Sequence, residues 1–144
     1  MKLRRVNLQA GQGVIEMHVL LADDHPEVLS ALRLLVDDEP GLSVLGEVSD
    51  RDSLLIFAGT MRPDLVLLDW DIPDLRPAET LVILRSRCPG LLVIALSGRP
   101  EARADALRDG ANAFVCKCDP PEKLLATLRS ISKRGHVPPW PGSC

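Results

Sequence analysis

The sequence has few aromatic residues and no long apolar segment. Its 144 residues include two Phe, two Trp and no Tyr, so it lacks the side chains on which single-stranded nucleic acids stack. The longest uninterrupted apolar run, residues 91–96, has six residues, whereas a membrane-spanning helix needs roughly 20. The sequence therefore disfavours a base-stacking platform and predicts no membrane segment.

Positive charge is scarce in the central part of the chain. The net charge of the whole chain is −3, but residues 1–16 and 132–144 each contribute +2, which leaves −7 on residues 17–131. An acidic surface repels the phosphate backbone of nucleic acids. We therefore expect no direct nucleic-acid binding.

An export signal is also missing from the sequence. Basic residues at positions 2–5 are followed by the polar residues Asn7, Gln9 and Gln12, where a signal peptide has an apolar stretch. We therefore expect a cytoplasmic protein whose four cysteines are reduced thiols rather than a disulfide framework. The cysteines are Cys88, Cys116, Cys118 and Cys144.

The chain does contain a regular alternation of apolar runs and segments with helical periodicity. The apolar runs are residues 18–22, 42–48, 64–68, 91–96 and 112–116. A strand followed by a helix, repeated five times, predicts a parallel sheet with helices on both faces. Uninterrupted apolar strands are typical of a sheet that is covered on both faces.

Proline, glycine and aspartate mark the expected helix ends. Pro26 and Pro100 stand where the first and fourth helices begin, since a first-turn position loses no hydrogen bond to proline. Gly110 stands where the fourth helix ends. Asp119 is the expected N-cap of a fifth helix.

Composition divides the chain into three parts. Residues 1–16 lack periodicity and are expected to form a flexible extension, so that Met17 is a candidate for the natural start. Residues 17–131 are the expected folded domain. Residues 132–144 are rich in proline and glycine and indicate a tail or a linker stub.

Polar residues stand at the ends of four predicted strands. Asp23 and Asp24 follow the first strand, Asp69 the third, Ser97 the fourth and Lys117 the fifth. Ligand sites of open α/β sheets lie at the carboxyl ends of the strands. In the strand order 2-1-3-4-5 the first and third strands are neighbours, and three carboxylates meet there. Mg²⁺ would relieve their repulsion, and an Asp beside Mg²⁺ with a Lys and a Ser opposite suits phosphoryl transfer to the Asp.

The segments LLADDHP, LVLLDWDIP, IALSG and AFVCK resemble the four signature strands of the receiver domains of bacterial two-component response regulators. The resemblance covers about residues 17–131. It implies a flavodoxin-like (βα)5 fold with strand order 2-1-3-4-5. It also implies that Asp69 is phosphorylated from the phosphohistidine of a sensor histidine kinase or phosphotransfer protein.

The resemblance further implies the roles of the surrounding residues. Asp23 and Asp24 would bind Mg²⁺ together with Asp69, and the backbone carbonyl of Asp71 would complete the metal site. Phe114 occupies the position of the aromatic switch residue. Ser97 and Lys117 would hold the phosphoryl group.

Within the family, ADDHP and the lack of a proline after Lys117 look most like the receivers of LuxR-type transcription regulators. Only thirteen residues follow Ile131, which are too few for a DNA-binding module. The expected partners are therefore a kinase or phosphotransfer protein and a downstream protein that reads the switched surface. A homodimer is compatible with the sequence.

The sequence departs from the family pattern at three positions. Pro77 replaces a usual glycine, so the loop after Asp69 should follow a stiffer path. Cys118 replaces the proline that follows the lysine in other branches, so the cis peptide bond of those branches is not assured. Asp71 adds a carboxylate, which we predict strengthens the attraction for the metal and alters the lifetime of the phosphoaspartate.

Several of these residues also have simpler interpretations. Phe114 is equally well explained as a core residue, and Cys116 as a small core residue. His25 is more often an exposed residue at a helix start than a metal ligand, and Trp70 is expected to be an exposed residue beside the acceptor. Cys118, next to the Lys117 ammonium, is a weak candidate for a reactive thiol.

Three other functions remain open. VLLDWD resembles the nucleophile motif of haloacid-dehalogenase-type phosphatases, with Asp69 as nucleophile and Asp71 as general acid, but the order of the acidic residues argues against it. A pseudo-receiver would keep the fold as an interaction module without phosphorylation. Finally, the chain could be a receiver cut from a longer transcription regulator.

Overall fold

The computed structural model describes residues 16–135 and confirms the predicted alternation of five strands and five helices. The strands are β1 (Met17–Ala22), β2 (Leu42–Val48), β3 (Leu65–Asp69), β4 (Leu92–Ser97) and β5 (Ala113–Cys116). The helices are α1 (Pro26–Asp37), α2 (Arg51–Met61), α3 (Pro77–Arg87), α4 (Arg103–Arg108) and α5 (Pro121–Gly135).

The five strands form one parallel sheet in the order β2-β1-β3-β4-β5, which confirms the flavodoxin-like architecture. β1 and β3 are hydrogen-bonded neighbours, and Ala22 pairs with Leu68 near their carboxyl ends. Asp69 pairs with Leu96, and Ser97 with Cys116. The register therefore brings the polar strand ends to one edge of the sheet.

Two apolar cores lie on the two faces of the sheet, because successive residues of a strand point to opposite faces. In β1, Leu20 packs into the core on the side of α2, α3 and α4, and Leu21 packs into the core on the side of α1 and α5. Both cores are closed by helices, so the strands are apolar on both faces.

Most predicted helix ends are found, with two shifts. Pro26 and Pro77 are the first residues of α1 and α3. Pro100 begins a short 3₁₀ turn, and α4 follows it at Arg103. The prediction that Asp119 is the N-cap of α5 is wrong, because α5 begins at Pro121 and Pro120 directly precedes it. The carboxylate of Asp119 instead accepts a hydrogen bond from the backbone N–H of Cys116 at 3.3 Å, which stabilises the turn before α5.

The prediction that Trp70 is exposed is wrong. Only 6% of this side chain is exposed, and it belongs to the core on the side of α2, α3 and α4. Trp70 continues the alternation of Val66 and Leu68 beyond the end of β3, and all three lie on the same face. The backbone N–H of Trp70 donates to the carbonyl of Leu96 at 2.7 Å, which keeps the chain extended for that one further residue.

The prediction of reduced thiols is wrong for the three cysteines of the described residues, Cys88, Cys116 and Cys118, none of which is a free thiol. Cys116 and Cys118 form a disulfide in the structure. β5 ends at Cys116 and the chain turns at Lys117 and Cys118, so the strand alternation that would separate the two sulfurs stops here. The turn instead brings the sulfurs together.

The expected flexible extension and the proline-rich tail fall almost entirely on residues 1–15 and 136–144, which lie outside the described residues. None of the described helices has the length and apolar character needed to cross a lipid bilayer. Within residues 16–135 all peptide bonds are trans, including the bond between Lys117 and Cys118.

Leu20→Ala should lower the free energy of unfolding by about 3 kcal/mol, because loss of this fully buried side chain of β1 would leave a cavity. Urea denaturation followed by circular dichroism measures the change. Leu34→Ala is the matched control, since 74% of Leu34 is exposed, and it should change stability by less than about 0.5 kcal/mol. Equal losses in the two variants would contradict the position of the core.

Candidate functional site

Asp23 and Asp24 lie at the start of the loop that follows β1, at the carboxyl end of the sheet. Asp23 is completely buried, and its backbone N–H donates to the carbonyl of Val48 at 3.0 Å. Its Oδ1 accepts a hydrogen bond from the backbone N–H of His25 at 2.9 Å. The turn before α1 therefore fixes a buried carboxylate at the carboxyl end of the sheet.

Asp69 is the last residue of β3 and is also completely buried. Its Oδ1 accepts a hydrogen bond from the backbone N–H of Asp71 at 2.9 Å. Its Oδ2 has no hydrogen-bond partner in the part of the chain that the structure describes. One oxygen of this carboxylate is thus held in place, and the other keeps its lone pairs for a ligand.

Lys117 connects these two carboxylates. Its Nζ lies 2.7 Å from Oδ2 of Asp23 and 3.3 Å from Oδ1 of Asp69. Its backbone N–H donates to the carbonyl of Ser97 at 2.8 Å, which continues the pairing of β5 with β4. Because only 24% of the Lys117 side chain is exposed, the ion pairs are largely shielded from water.

Burial and charge shift the proton affinities of the pocket. Burial raises the pKa of Asp69 to about 6; the N–H of Asp71 and the ammonium of Lys117 oppose this rise, and the charge of Asp23 adds to it. Burial alone would lower the pKa of Lys117, but its contacts with Asp23 and Asp69 outweigh burial and raise it. Lys117 therefore stays charged beside the Asp69 carboxyl group, which is costly to ionise.

His25 joins the site, although sequence reasoning left it out. Its Nδ1 lies 3.2 Å from a carboxylate oxygen of Asp23 and 3.2 Å from one of Asp24. The hydrogen bond that the imidazole makes to the carboxylate of Asp23 and the negative charge of Asp24 raise the pKa of His25. Its position directly after the acidic pair was the available signal, but the side chain's direction depends on the turn.

The acidic cluster fits one divalent cation. One ligand atom from each of Asp23, Asp24, His25 and Asp69 lies within 4.8 Å of all the others. Three of these groups are carboxylates, the oxygen donors that Mg²⁺ prefers. The residues present therefore suit Mg²⁺, with the carboxylates as its side-chain ligands.

The structure directs Ser97 toward Asp71. The hydroxyl of Ser97 donates to Oδ2 of Asp71 at 2.9 Å, and the N–H of Gly98 donates to the same oxygen at 3.2 Å. Arg99 donates to Oδ1 of Asp71 from Nε at 3.2 Å and from Nη2 at 2.9 Å. Asp71 thus links the β4–α4 turn to the loop after β3 by hydrogen bonds. It also accepts the hydrogen bond of the Ser97 hydroxyl, the group that the family resemblance assigns to the phosphoryl group.

These partners also decide how Asp71 is charged. Burial raises the pKa of Asp71, but the hydrogen bonds from Arg99 and Ser97 outweigh burial and lower it. A carboxylate held ionised in this way is a poor general acid, which argues against the phosphatase alternative. Because Arg99 compensates its charge, Asp71 should attract a cation less than the sequence alone indicates.

Phe114 lies inside the core rather than on the surface. It is 8% exposed, and it packs in the core on the side of α2, α3 and α4. The guanidinium carbon of Arg103, the first residue of α4, lies 5.7 Å from the centre of the Phe114 ring. Core packing and contact with the start of α4 therefore occur together at this position.

Comparisons with known proteins agree with this geometry. Residues 19–129 match the family profile of the response regulator receiver domain. The nitrate/nitrite response regulator protein NarL of Escherichia coli K12 is 34% identical over 116 residues, which cover 79% of this chain and 54% of that protein. The chain thus spans about half the length of the curated relatives it matches.

Solved structures show the same fold. A two-component response regulator of the LuxR family from Aurantimonas sp. SI85-9A1 superposes with a TM-score of 0.75 at 24% identity, over 83% of this chain and 86% of that chain. The response regulator domain of Thermotoga maritima CheB gives a TM-score of 0.72 at 25% identity, over 86% of this chain and 99% of that chain.

Asp69→Asn should stabilise the metal-free protein at neutral pH. With a folded-state pKa near 6, the neutral carboxyl favours folding below about pH 4, and this stability is lost as the pH rises through about 6. Asparagine cannot ionise and should keep about 1–2 kcal/mol of that stability at pH 7. Urea denaturation in EDTA at several pH values measures the effect.

Asp38→Asn is the control for this measurement, because Asp38 follows α1 at the opposite end of that helix from the site. It should leave the pH dependence unchanged. An Asp69→Asn protein that is no more stable than wild type at pH 7 would contradict the effect assigned to burial.

Proposed function

Because the chain belongs to the response regulator receiver domain family, we propose that Asp69 accepts a phosphoryl group from the phosphohistidine of a sensor histidine kinase or phosphotransfer protein. Receiver domains act in two-component signalling as signalling domains rather than as true enzymes. The observation that carries the proposal is the buried carboxylate of Asp69, which has one oxygen held and one unpartnered, 3.3 Å from the ammonium of Lys117.

The free oxygen of Asp69 is the nucleophile. Oδ2 attacks phosphorus as the bond from phosphorus to the imidazole nitrogen of the donor breaks, and an acyl phosphate forms. The backbone N–H of Asp71 fixes Oδ1, so that Oδ2 keeps one direction during the attack. Because the pKa of Asp69 is about 6, most of this carboxyl is ionised at neutral pH, as a nucleophile must be.

Asp23, Asp24 and Asp69 would hold Mg²⁺, with the backbone carbonyl of Asp71 as a further oxygen ligand. The cation would supply positive charge to neutralise the phosphoryl oxygens. His25 contacts both Asp23 and Asp24, and it orients the pair in our proposal rather than acting as a ligand.

Lys117 supplies the protein's own positive charge to the transferred group. Its ammonium contacts Asp69 and Asp23, and it would turn from these oxygens to an oxygen of the phosphoryl group. The hydroxyl of Ser97 donates to Asp71, and it would exchange this acceptor for a second phosphoryl oxygen. Phosphorylation would therefore draw the β4–α4 turn inward.

Loss of the Ser97–Asp71 hydrogen bond would transmit the effect of phosphorylation to the surface of the protein. Asp71 also binds Arg99 in the same turn, and Arg103 of the following helix covers Phe114. A shift of this turn changes the contacts of Phe114 and the surface formed by α4 and α5. In our proposal a downstream protein reads that surface, as a monomer or through a homodimer of this chain, in the cytoplasm.

Incubation with acetyl phosphate and MgCl₂ should label the wild-type chain once, at Asp69, as a slowly decaying acyl phosphate measured by intact mass. The label should be lost in Asp69→Asn and strongly reduced when EDTA replaces MgCl₂, since the charge of the phosphoryl oxygens is then not neutralised. The control variant Asp38→Asn should label like wild type.

Each other outcome contradicts the proposal in a different way. A wild-type chain that folds but takes no label would be a pseudo-receiver. Steady hydrolysis of a phosphomonoester such as p-nitrophenyl phosphate would favour the phosphatase. Label retained in Asp69→Asn would move the acceptor to another residue.

Asp71→Asn should accept the label faster, by about fivefold, because the hydroxyl of Ser97 no longer donates to a charged acceptor. The lifetime of the phosphoaspartate should change with it, and the affinity for Mg²⁺ should fall slightly. Labelling reactions quenched at successive times measure the labelling rate and the lifetime of the phosphoaspartate, and Mg²⁺ titrations measure the affinity for the metal. Arg99→Gln is the matched control, because it leaves the carboxylate of Asp71 in place; it should not accelerate labelling. Rates and affinity equal to wild type in Asp71→Asn would contradict the role of Asp71.

A further inference from the structure

A disulfide encloses Lys117 of the proposed phosphoryl pocket. Cys116 ends β5, Cys118 lies in the following turn, and their sulfurs are bonded to each other. Lys117 is the single residue between them, so its backbone is part of a closed ring. No other residue of the proposed site is covalently fixed in this way in the described part of the chain.

The two sulfurs differ in their access to solvent. Cys116 is buried in the core on the side of α2, α3 and α4, whereas Cys118 is exposed. A thiol from solution can therefore reach the sulfur of Cys118 first, and attack at one sulfur is enough to open a disulfide. Disulfides of proteins in reducing compartments are usually transient, and they sense the redox state.

The ring is directly coupled to the position of the ammonium. The backbone N–H of Lys117 donates to the carbonyl of Ser97, and its Nζ contacts Asp23 and Asp69. The closed ring limits the rotations of the backbone that carries this side chain. Opening the ring leaves the hydrogen bonds of the turn, including the one that Asp119 accepts from the N–H of Cys116, but it removes the covalent restraint.

We propose that Cys116 and Cys118 are a redox-active pair whose disulfide holds Lys117 over Asp69, and whose reduction loosens Lys117 and slows phosphorylation. This inference rests on the proposed function, since it assigns a control to the same pocket. A side chain that is already fixed in its reactive position loses less conformational entropy on reaching the transition state, so the reaction is faster. The oxidised chain is therefore the faster phosphoryl acceptor.

The redox step balances with a solution thiol as reductant. A thiolate attacks Sγ of Cys118, the bond between the two cysteine sulfurs breaks, and Cys116 leaves as a thiolate that takes up a proton. A second thiol attacks the mixed disulfide and releases Cys118. Two electrons and two protons reach the cysteine pair, and the two solution thiols become a disulfide; an external disulfide reverses the reaction.

The first experiment asks whether the pair cycles. The variant with Cys88→Ala and Cys144→Ser keeps only Cys116 and Cys118 of the four cysteines. After equilibration in mixtures of reduced and oxidised glutathione, the chain is unfolded in urea that contains iodoacetamide, which makes the buried Cys116 accessible. Mass spectrometry should then find two modified thiols per chain from the reducing mixture and none from the oxidising one. Two modified thiols in every mixture would overturn the proposal, because the pair would then not form the disulfide.

The second experiment measures the effect on phosphorylation in the same variant. The rate of Mg²⁺-dependent labelling by acetyl phosphate should be about threefold to tenfold higher in the oxidised form than in the reduced form, a modest factor because the crosslinked loop is short. The matched control adds Cys118→Ser, an exposed position; this chain should label at the reduced rate in both mixtures and should keep its circular dichroism spectrum.

The outcomes separate this inference from the proposed function. Equal labelling rates in the two redox states, or a faster reduced form, would overturn the proposal that the disulfide controls phosphorylation. Either result would leave the proposed receiver function unaffected. The absence of label in both states, from a chain that is folded by circular dichroism, would overturn the proposed function and this inference with it.

Discussion

One ammonium group between two buried carboxylates organises the site of this protein. Nζ of Lys117 lies within ion-pair distance of Asp23, which follows β1, and of Asp69, which ends β3; both carboxylates are fully buried. Charges removed from water are costly unless they are paired, and here three strands contribute to the pairing. The same arrangement leaves an excess of negative charge, and one oxygen of Asp69 has no hydrogen-bond partner within residues 16–135. The pocket is therefore suited to a cation and to a phosphoryl group.

A second polar network must rearrange when the resting pocket passes to its proposed phosphorylated state. Asp71 binds Ser97, Gly98 and Arg99, so the turn after β4 is held by the loop after β3. The proposed function requires Ser97 to change its acceptor, and the energy of this exchange sets how strongly phosphorylation moves the turn. In the proposed function, the carboxylate of Asp71 links the chemistry at Asp69 to the surface near α4.

Where sequence reasoning failed, the cause lies in how the chain turns at strand ends. Trp70 was expected on the surface because it follows a polar residue, but it continues the inward alternation of β3 for one more position. Cys118 was expected apart from Cys116, but the turn after β5 brings the sulfurs together. His25 was left out because the sequence does not show that its ring lies between two carboxylates.

The order of strands and helices and the polar residues at the strand ends could be read from the sequence, because they depend on periodicity and on residue type along a short segment. Tertiary structure alone decided which oxygen of Asp69 is free, which partner holds the hydroxyl of Ser97, and that a disulfide surrounds Lys117. These features depend on distances between side chains on different strands and on the dihedral angles of single turns, and a linear pattern of residues does not contain them.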